Sequence, residues 1–275
     1  MISRNNIKWV RQLEMKKYRK QEGMFVAEGP KVVGDLLRAG FAPHSVYATA
    51  AGIEALGPLL ATADQTIIGS GNTESAIARG GTVCTVSDDE LRKISFLQHP
   101  QQVMAVFPIP KASACPSADN MPTGLALALD GVQDPGNVGT IIRLADWFGI
   151  STIFCSPDTA DAYNPKVVQA TMGSIARVRI IYTELTSLLA TLPNDYPVYG
   201  TLLDGDNIYQ QQLSAHGLIV MGNEGNGISQ AVRRYINRKL FIPRFSTGRT
   251  VAESLNVAIA TAITCSEFRR RGESR

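Results

Sequence analysis

Glu224, Ser254 and Asn256 stand where a chain can do chemistry, because each follows a short apolar run that ends in glycine or proline. Residues 218–221 are apolar and stop at Gly222, the pattern of a buried parallel strand ending where a ligand approaches. Asn223, Glu224, Gly225, Asn226 and Gly227 follow, a turn of glycines and short polar side chains that tolerate positive φ. Residues 239–242 read as a second strand closed by Pro243. Ser254 and Asn256 open a stretch, 255–263, that is apolar on nearly every face and predicts a buried helix. In an open α/β sheet ligands bind at the carboxyl ends of strands, so these three polar groups are expected in one crevice.

A third loop of the same kind runs over 130–137, after an apolar run at 125–129. Asn137 reads as the N-cap of a helix reaching Phe148, stopped by Gly149. Arg143 lies in that helix. It is either a surface cation paired with Asp146 or a fixed cation for a phosphate, and spacing alone leaves both open. A dinucleotide-binding loop fails on spacing: Gly131, Gly136 and Gly139 do not make GxGxxG, and Gly222, Gly225 and Gly227 give GxxGxG. There is no GxxxxGK[ST] element either.

The elements needed to position these loops form two α/β domains. At 275 residues the chain is long enough for two cores, and 44% apolar with 19% charged residues is an ordinary globular composition. Residues 2–20 read as one basic amphipathic helix carrying Lys16, Lys17, Arg19 and Lys20, either a solvated face or a phosphate-contacting one, with Trp9 or Tyr18 available to stack on a base. Strands at 25–28, 46–48, 65–68 and 103–107 and helices at 31–39, 53–60, 74–77 and 87–94 make the first domain, 1–108. Ser87 and Glu90 spell a capping box. A proline-rich linker, 109–123, leads to the second domain, 124–275. There, strands at 125–129, 152–155, 176–182 and 198–202 alternate with helices at 166–172 and 184–192. Alternation of this kind implies a parallel sheet covered on both faces. Residues 156–164 read as a polar loop ending in the cap Asn164-Pro165, and 204–206 as a turn.

The four cysteines and three histidines are too scattered for a metal centre, so no metal is expected. The net charge of +3 permits a nucleic-acid partner. No apolar run reaches membrane-spanning length and the N-terminus has no signal core, so the cytoplasm is the expected location.

Taken together, the three loops resemble the signature motifs of the SpoU (TrmH-like) branch of the SPOUT RNA methyltransferases. LDGVQDPGNVGTIIRLADWFGI (129–150) is similar to the first, LIVMGNEGNGIS (218–229) to the second, and IPR…ESLNVAIATAI (242–263) to the third. RKQEGMFVAEGPKVVGDLL (19–37) and LQHPQQVMAVF (97–107) resemble, more weakly, the substrate-binding domain that precedes the catalytic one. The resemblance implies S-adenosylmethionine-dependent methylation of a ribose 2′-hydroxyl, a deep C-terminal trefoil knot and a homodimer. Carried over by position, it implies catalytic roles for Asn137, Arg143, Glu224, Ser254 and Asn256. Cofactor contacts would come from Thr201, Leu202, Gly222, Asn223, Gly225, Ile242, Pro243, Ser254 and Leu255, and RNA contacts from Lys16, Lys17, Arg19, Lys20 and Arg143. Ribosomal RNA is the expected substrate, with tRNA as the alternative and a non-catalytic RNA-binding assembly factor as the rival reading. One departure stands out: the segment 244–253 is longer than the usual glycine loop of the third motif.

Overall fold

The computed structural model describes residues 2–65, 82–111, 121–245 and 254–272. The expected strand at 65–68, apart from Gln65 itself, lies outside the described residues, as do the helix at 74–77, most of the linker and residues 246–253. The chain divides into two compact units. One comprises Met1–Lys111 with Asp161–Ala176, the other Ala112–Ala160 with Arg177–Arg275.

In the first unit α1 (Arg4–Gln12) and α2 (Lys16–Glu22) replace the single helix expected over 2–20. Leu13, 0% exposed, turns inward at the break between them. The strands β1 (Met24–Glu28), β2 (Ser45–Ala48), β3 (Thr82–Thr85) and β4 (Val103–Pro108) form a sheet in the order β1-β4-β2-β3. Strand β3 has no clear apolar alternation and went unforeseen. Helices α3 (Pro30–Arg38), α4 (Ala50–Gln65) and α5 (Asp88–Ile94) complete the unit, α5 with the capping box between Ser87 and Glu90 in place.

The segment Asp161–Ala176 contributes α7 (Pro165–Ala170), capped by Asn164, and a 3-10 turn at Ser174–Ala176. Tyr163 stands 5.0 Å from the ring of Phe25, which stacks on Phe107 at 5.7 Å. Burial, reinforced by Asp161, raises the Tyr163 hydroxyl to about 12. Arg19, 1% exposed, donates to Asp161 Oδ2 from Nε at 3.0 Å and Nη2 at 2.5 Å, and to the carbonyls of Leu13 and Glu14.

The second unit holds a parallel sheet in the order β10-β8-β9-β5-β6-β7. Its strands are β5 (Leu125–Asp130), β6 (Thr152–Cys155), β7 (Arg179–Tyr182), β8 (Val198–Asn207), β9 (Gly217–Gly222) and β10 (Arg238–Phe241). Every residue of β5 and β9 is buried, as expected of central parallel strands covered on both faces. Strand β7 is shorter than the run 176–182, because Ser174–Ala176 is a 3-10 turn. Residues 204–206 are not a turn. Strand β8 runs on to Asn207, and Asp206 and Asn207 pair with Leu240 and Phe241 of β10. A Cβ on Gly205 would lie 2.6 Å from the backbone of Leu240, so glycine here serves close strand approach.

Helix α6 (Pro135–Trp147) follows β5, α8 (Leu185–Thr191) follows β7, and α9 (Gln230–Arg233) precedes β10. The N-cap of α6 is Asp134, not Asn137: its carboxylate accepts from the Asn137 backbone N–H at 2.7 Å, and Pro135 fills the first helical position. Helix α10 (Val257–Gly272) is longer than the apolar run 255–263, and one side of it meets solvent, with Ile259 52% exposed.

Candidate active site

Asn256, directly before α10, lies beside the first turn of α6. Asn256 Nδ2 donates to Asn137 Oδ1 at 2.9 Å, and Asn137 Nδ2 donates to Glu224 Oε1 at 2.9 Å. Glu224 also accepts the backbone N–H groups of Gln133 and Asp134, each at 3.3 Å. One hydrogen-bonded line thus joins the loops after β5, β9 and β10. At its far end Asn256 Oδ1 accepts from Ala258 N at 2.9 Å and Ile259 N at 3.2 Å, which caps α10. These four bonds fix both amide orientations, since each oxygen accepts and each nitrogen donates. Each amide nitrogen keeps a second N–H. Partial burial raises the Glu224 carboxyl, but the bonds from Asn137 and from backbone N–H groups outweigh it and hold the group below its ordinary value.

Arg143 rises from α6, exposed, six residues beyond Asn137. Asp146 does not hold it: that carboxylate takes Nε and Nη2 of Arg177 instead, at 3.0 and 2.7 Å. Among the described residues Arg143 has no hydrogen bond or ion pair. Ser254 is exposed and its hydroxyl is likewise unbonded among the described residues.

The loop after β9 is a tight structure. A Cβ on Gly222 would lie 2.3 Å from both Gly227 C and Ile228 N, so only glycine fits. Asn223 and Gly227 exchange backbone hydrogen bonds at 2.9 Å each. The Asn223 side chain is consumed in building the turn: Oδ1 accepts from Gly225 N and Asn226 N, and Nδ2 donates to Gly131 O at 2.7 Å. Beside this loop, Thr201 and Leu202 of β8 are half-buried, Thr201 Oγ1 standing 3.6 Å from Met221 Sδ. Ile242 and Pro243, after the adjacent β10, are half-buried too, whereas Leu255 is 49% exposed. The strand order brings the ends of β10, β8 and β9 side by side.

Several residues that shape the site were not foreseen. The Asp130 carboxylate accepts Ser229 N at 2.7 Å, tying the tip of β5 to the loop after β9. Asp134 carried a readable signal, an acidic cap directly before proline. Asp130 and Ser229 carried none, since they are 99 residues apart. Among the described residues no group of three His, Cys, Asp or Glu side chains could hold a metal ion. In the first unit Lys16, Lys17 and Lys20 of α2 are exposed, but Arg19 is buried, with four of its five N–H groups bonded inside the protein, and is not placed to meet a phosphate. Trp9 rests on His44 at 5.2 Å and donates to Glu22 at 3.3 Å.

Residues 124–266 match the SpoU rRNA methylase family, and residues 4–105 match the MRM3-like substrate binding domain. The 23S rRNA (guanosine(2553)-2′-O)-methyltransferase RlmP of Bacillus subtilis (strain 168) is 35% identical over 181 residues, 65% of this chain and 68% of the relative. A solved structure from Porphyromonas gingivalis, assigned to the TrmH family of RNA methyltransferases, superposes with a TM-score of 0.81 at 40% identity, covering 98% of this chain and 99% of the other. The AdoMet-bound rRNA methyltransferase from Sinorhizobium meliloti gives a TM-score of 0.81 at 31% identity, covering 98% and 97%. With the three loops joined as described, this chain belongs to the SpoU rRNA methylase family of RNA methyltransferases.

Proposed function

We propose that the protein transfers a methyl group from S-adenosylmethionine to a ribose 2′-hydroxyl of ribosomal RNA. The observation that carries this reading is the line from Asn256 through Asn137 to Glu224, with Arg143, unpaired among the described residues, on the same helix as Asn137. The resemblance to an AdoMet-bound rRNA methyltransferase and to a ribose 2′-O-methyltransferase supports the cofactor, the substrate and the reacting oxygen.

The residues after β8, β9 and β10 fit the cofactor. Leu202, Ile242 and Pro243 would supply half-buried apolar walls, and the turn from Gly222 to Gly227 would offer the backbone of its three glycines. When bound, the sulfonium supplies an electrophilic methyl, and its sulfur keeps the bonding electron pair. Arg143 then clamps the phosphate next to the target ribose and stabilises charge growing on its oxygen. A guanidinium is not readily deprotonated, so Arg143 acts through its charge, and the 2′-hydroxyl proton leaves to solvent water as the carbon–oxygen bond forms and the carbon–sulfur bond breaks. The second N–H of Asn137 and of Asn256 remains for the substrate, and Glu224 holds the loop that carries both Asn137 and the start of α6.

The same reading includes the trefoil knot, supported by Asn256, which follows the edge strand β10 in the chain yet bonds to Asn137 of α6, the helix after β5, a strand separated from that edge by β8 and β9. It includes a homodimer through the second unit, supported by Trp147, 83% exposed, and Ile259 on the mutually packed helices α6 and α10. Lys16, Lys17 and Lys20 are the RNA contacts of the first unit. A cytoplasmic setting accords with an rRNA substrate. No helix among the described residues is long and apolar enough to cross a membrane.

The test is incubation with tritiated S-adenosylmethionine and either ribosomal RNA or tRNA, followed by alkaline hydrolysis. Label retained in an alkali-resistant dinucleotide of ribosomal RNA is expected. Label on a base, label confined to tRNA, or none at all overturns the reading in that respect.

A further inference from the structure

The polar loop after β6 has no part in the chemistry described above, yet it grips the tip of β5 immediately before the first motif loop. Ser156 N and Thr159 Oγ1 donate to Leu129 O, each at 3.0 Å, and Ala160 N donates to Val132 O at 2.9 Å. Between these points Gly131 N donates to Ser156 Oγ at 2.8 Å. Gly131 is in the left-handed region, φ +69°, and a Cβ there would lie 3.0 Å from Asp158 Oδ2. Its carbonyl accepts from Asn223. Both polar groups of this one peptide residue are therefore held by side chains from two other loops.

The protons can be placed. Thr159 Oγ1 stands 3.0 Å from both Leu129 O and Ser156 Oγ, and the Asp158 carboxylate, at 2.5 Å and charged, is the nearer and stronger acceptor for the Ser156 proton. Asp158 thereby turns the Ser156 proton away from Gly131 N and leaves a lone pair to accept that bond. Ser156 is buried and Asp158 is exposed, so the pair reaches from solvent to the underside of the loop.

We propose, resting on the methyl-transfer reading, that Ser156 and Asp158 are positioning residues for the reaction. They fix Gly131, and Gly131 fixes where Gln133, Asp134 and Asn137 stand, and with them the start of the helix bearing Arg143. They touch neither substrate nor cofactor. The walls given to the cofactor come from β8, β9 and β10, so the pair acts on turnover and leaves cofactor affinity alone.

The experiment compares wild type, Ser156→Ala, Asp158→Asn and the double variant in kcat for methyl transfer, Kd for S-adenosylmethionine by calorimetry, and Tm. Each single variant is expected to lower kcat about tenfold or more, since misplacement on the ångström scale is enough for such losses. The double variant should fall no further than the worse single one, because the two groups act as a unit. Cofactor Kd should stay within about twofold. Unchanged kcat in both single variants overturns the proposal. So does a loss of kcat that travels with weakened cofactor binding and a lowered Tm, which marks a merely structural role. If Ser156→Ala does not fold, the exposed Asp158→Asn decides by the same criteria. An inactive wild type fails the methyl-transfer reading itself, and this proposal with it.

Discussion

Asn256 and Asn137 meet amide to amide at 2.9 Å although 119 residues separate them in the chain. One residue comes from the third motif and the other from the first, and Glu224 of the second completes the line. The polarity runs from the N-terminus of α10, where backbone N–H groups meet Asn256 Oδ1, towards the Glu224 carboxylate. It follows the sense of the helix dipole and ends on a negative charge, an arrangement each member of the line reinforces.

The central member is the one whose loss should matter most. Asn137→Ala removes both the donor to Glu224 and the acceptor for Asn256. Methyl transfer should fall about a hundredfold, the scale on which displaced catalytic groups lose rate. Cofactor affinity, measured by calorimetry, should change little.

Arg143 offers a sharper separation of function from stability. With no partner among the described residues, its replacement by alanine should leave stability within about 0.5 kcal/mol of wild type. Turnover in the tritiated-methyl assay should be abolished, and Arg143→Lys should restore little, since a point charge lacks the planar fork that grips a phosphate. A variant that turns over normally removes Arg143 from the mechanism.

The pH dependence of the joined loops follows from Glu224. Its carboxyl sits below the ordinary 4.5, so the stability it contributes is fully present above that value and is lost as pH falls through the folded-state value. Thermal unfolding of wild type and Glu224→Gln between about pH 3 and 7 tests this by linkage. The gap between the two curves should be flat at the upper end and close below about pH 4.5. A gap that widens on acidification contradicts the assignment.

Much of this site was legible because it is built from strand-end punctuation. Gly222 and Pro243 mark where strands stop, and the polar residues after them converge because parallel strands end at the same side. What stayed hidden depended on distant partners. Asp204 to Asp206 carry turn residues, yet they lie within strand β8, whose register against β10 jumps from Gly200 opposite Lys239 to Asp206 opposite Leu240, and Gly205 lets the strands approach. Arg19 has the spacing of a surface cation on α2, and only Asp161, 142 residues away, makes it a core residue. Asn137 looked like a cap because it is polar and near a helix start. The competing signal, Asp134 before Pro135, was stronger.

Arg19 and its lysine neighbours should therefore part company in experiment. Breaking a buried ion pair from one side costs about 3–5 kcal/mol, so Arg19→Met should destabilise the first unit in denaturant unfolding. Replacing Lys16, Lys17 and Lys20 with alanine should leave stability unchanged. It should weaken RNA binding and flatten its dependence on salt by up to about three counterions. Equal RNA affinity at low salt would take α2 out of the RNA contact surface.

The turn after β9 gives the most demanding steric test. At Gly222 an added methyl meets Gly227 C and Ile228 N, both at 2.3 Å and both backbone, so no side-chain rotation relieves the clash. The paired bonds between Asn223 and Gly227 must then open, and the Asn223 side chain loses its grip on Gly131. Gly222→Ala should accordingly weaken S-adenosylmethionine binding in calorimetry and depress turnover together. Gly225→Ala is the control on the same turn: the nearest atom to its Cβ is Asn223 Oδ1 at 3.6 Å, an ordinary contact. It should bind cofactor far better than Gly222→Ala. Equal damage from both substitutions would mean that the cofactor itself approaches the Gly225 side of the turn, and would move the binding surface there.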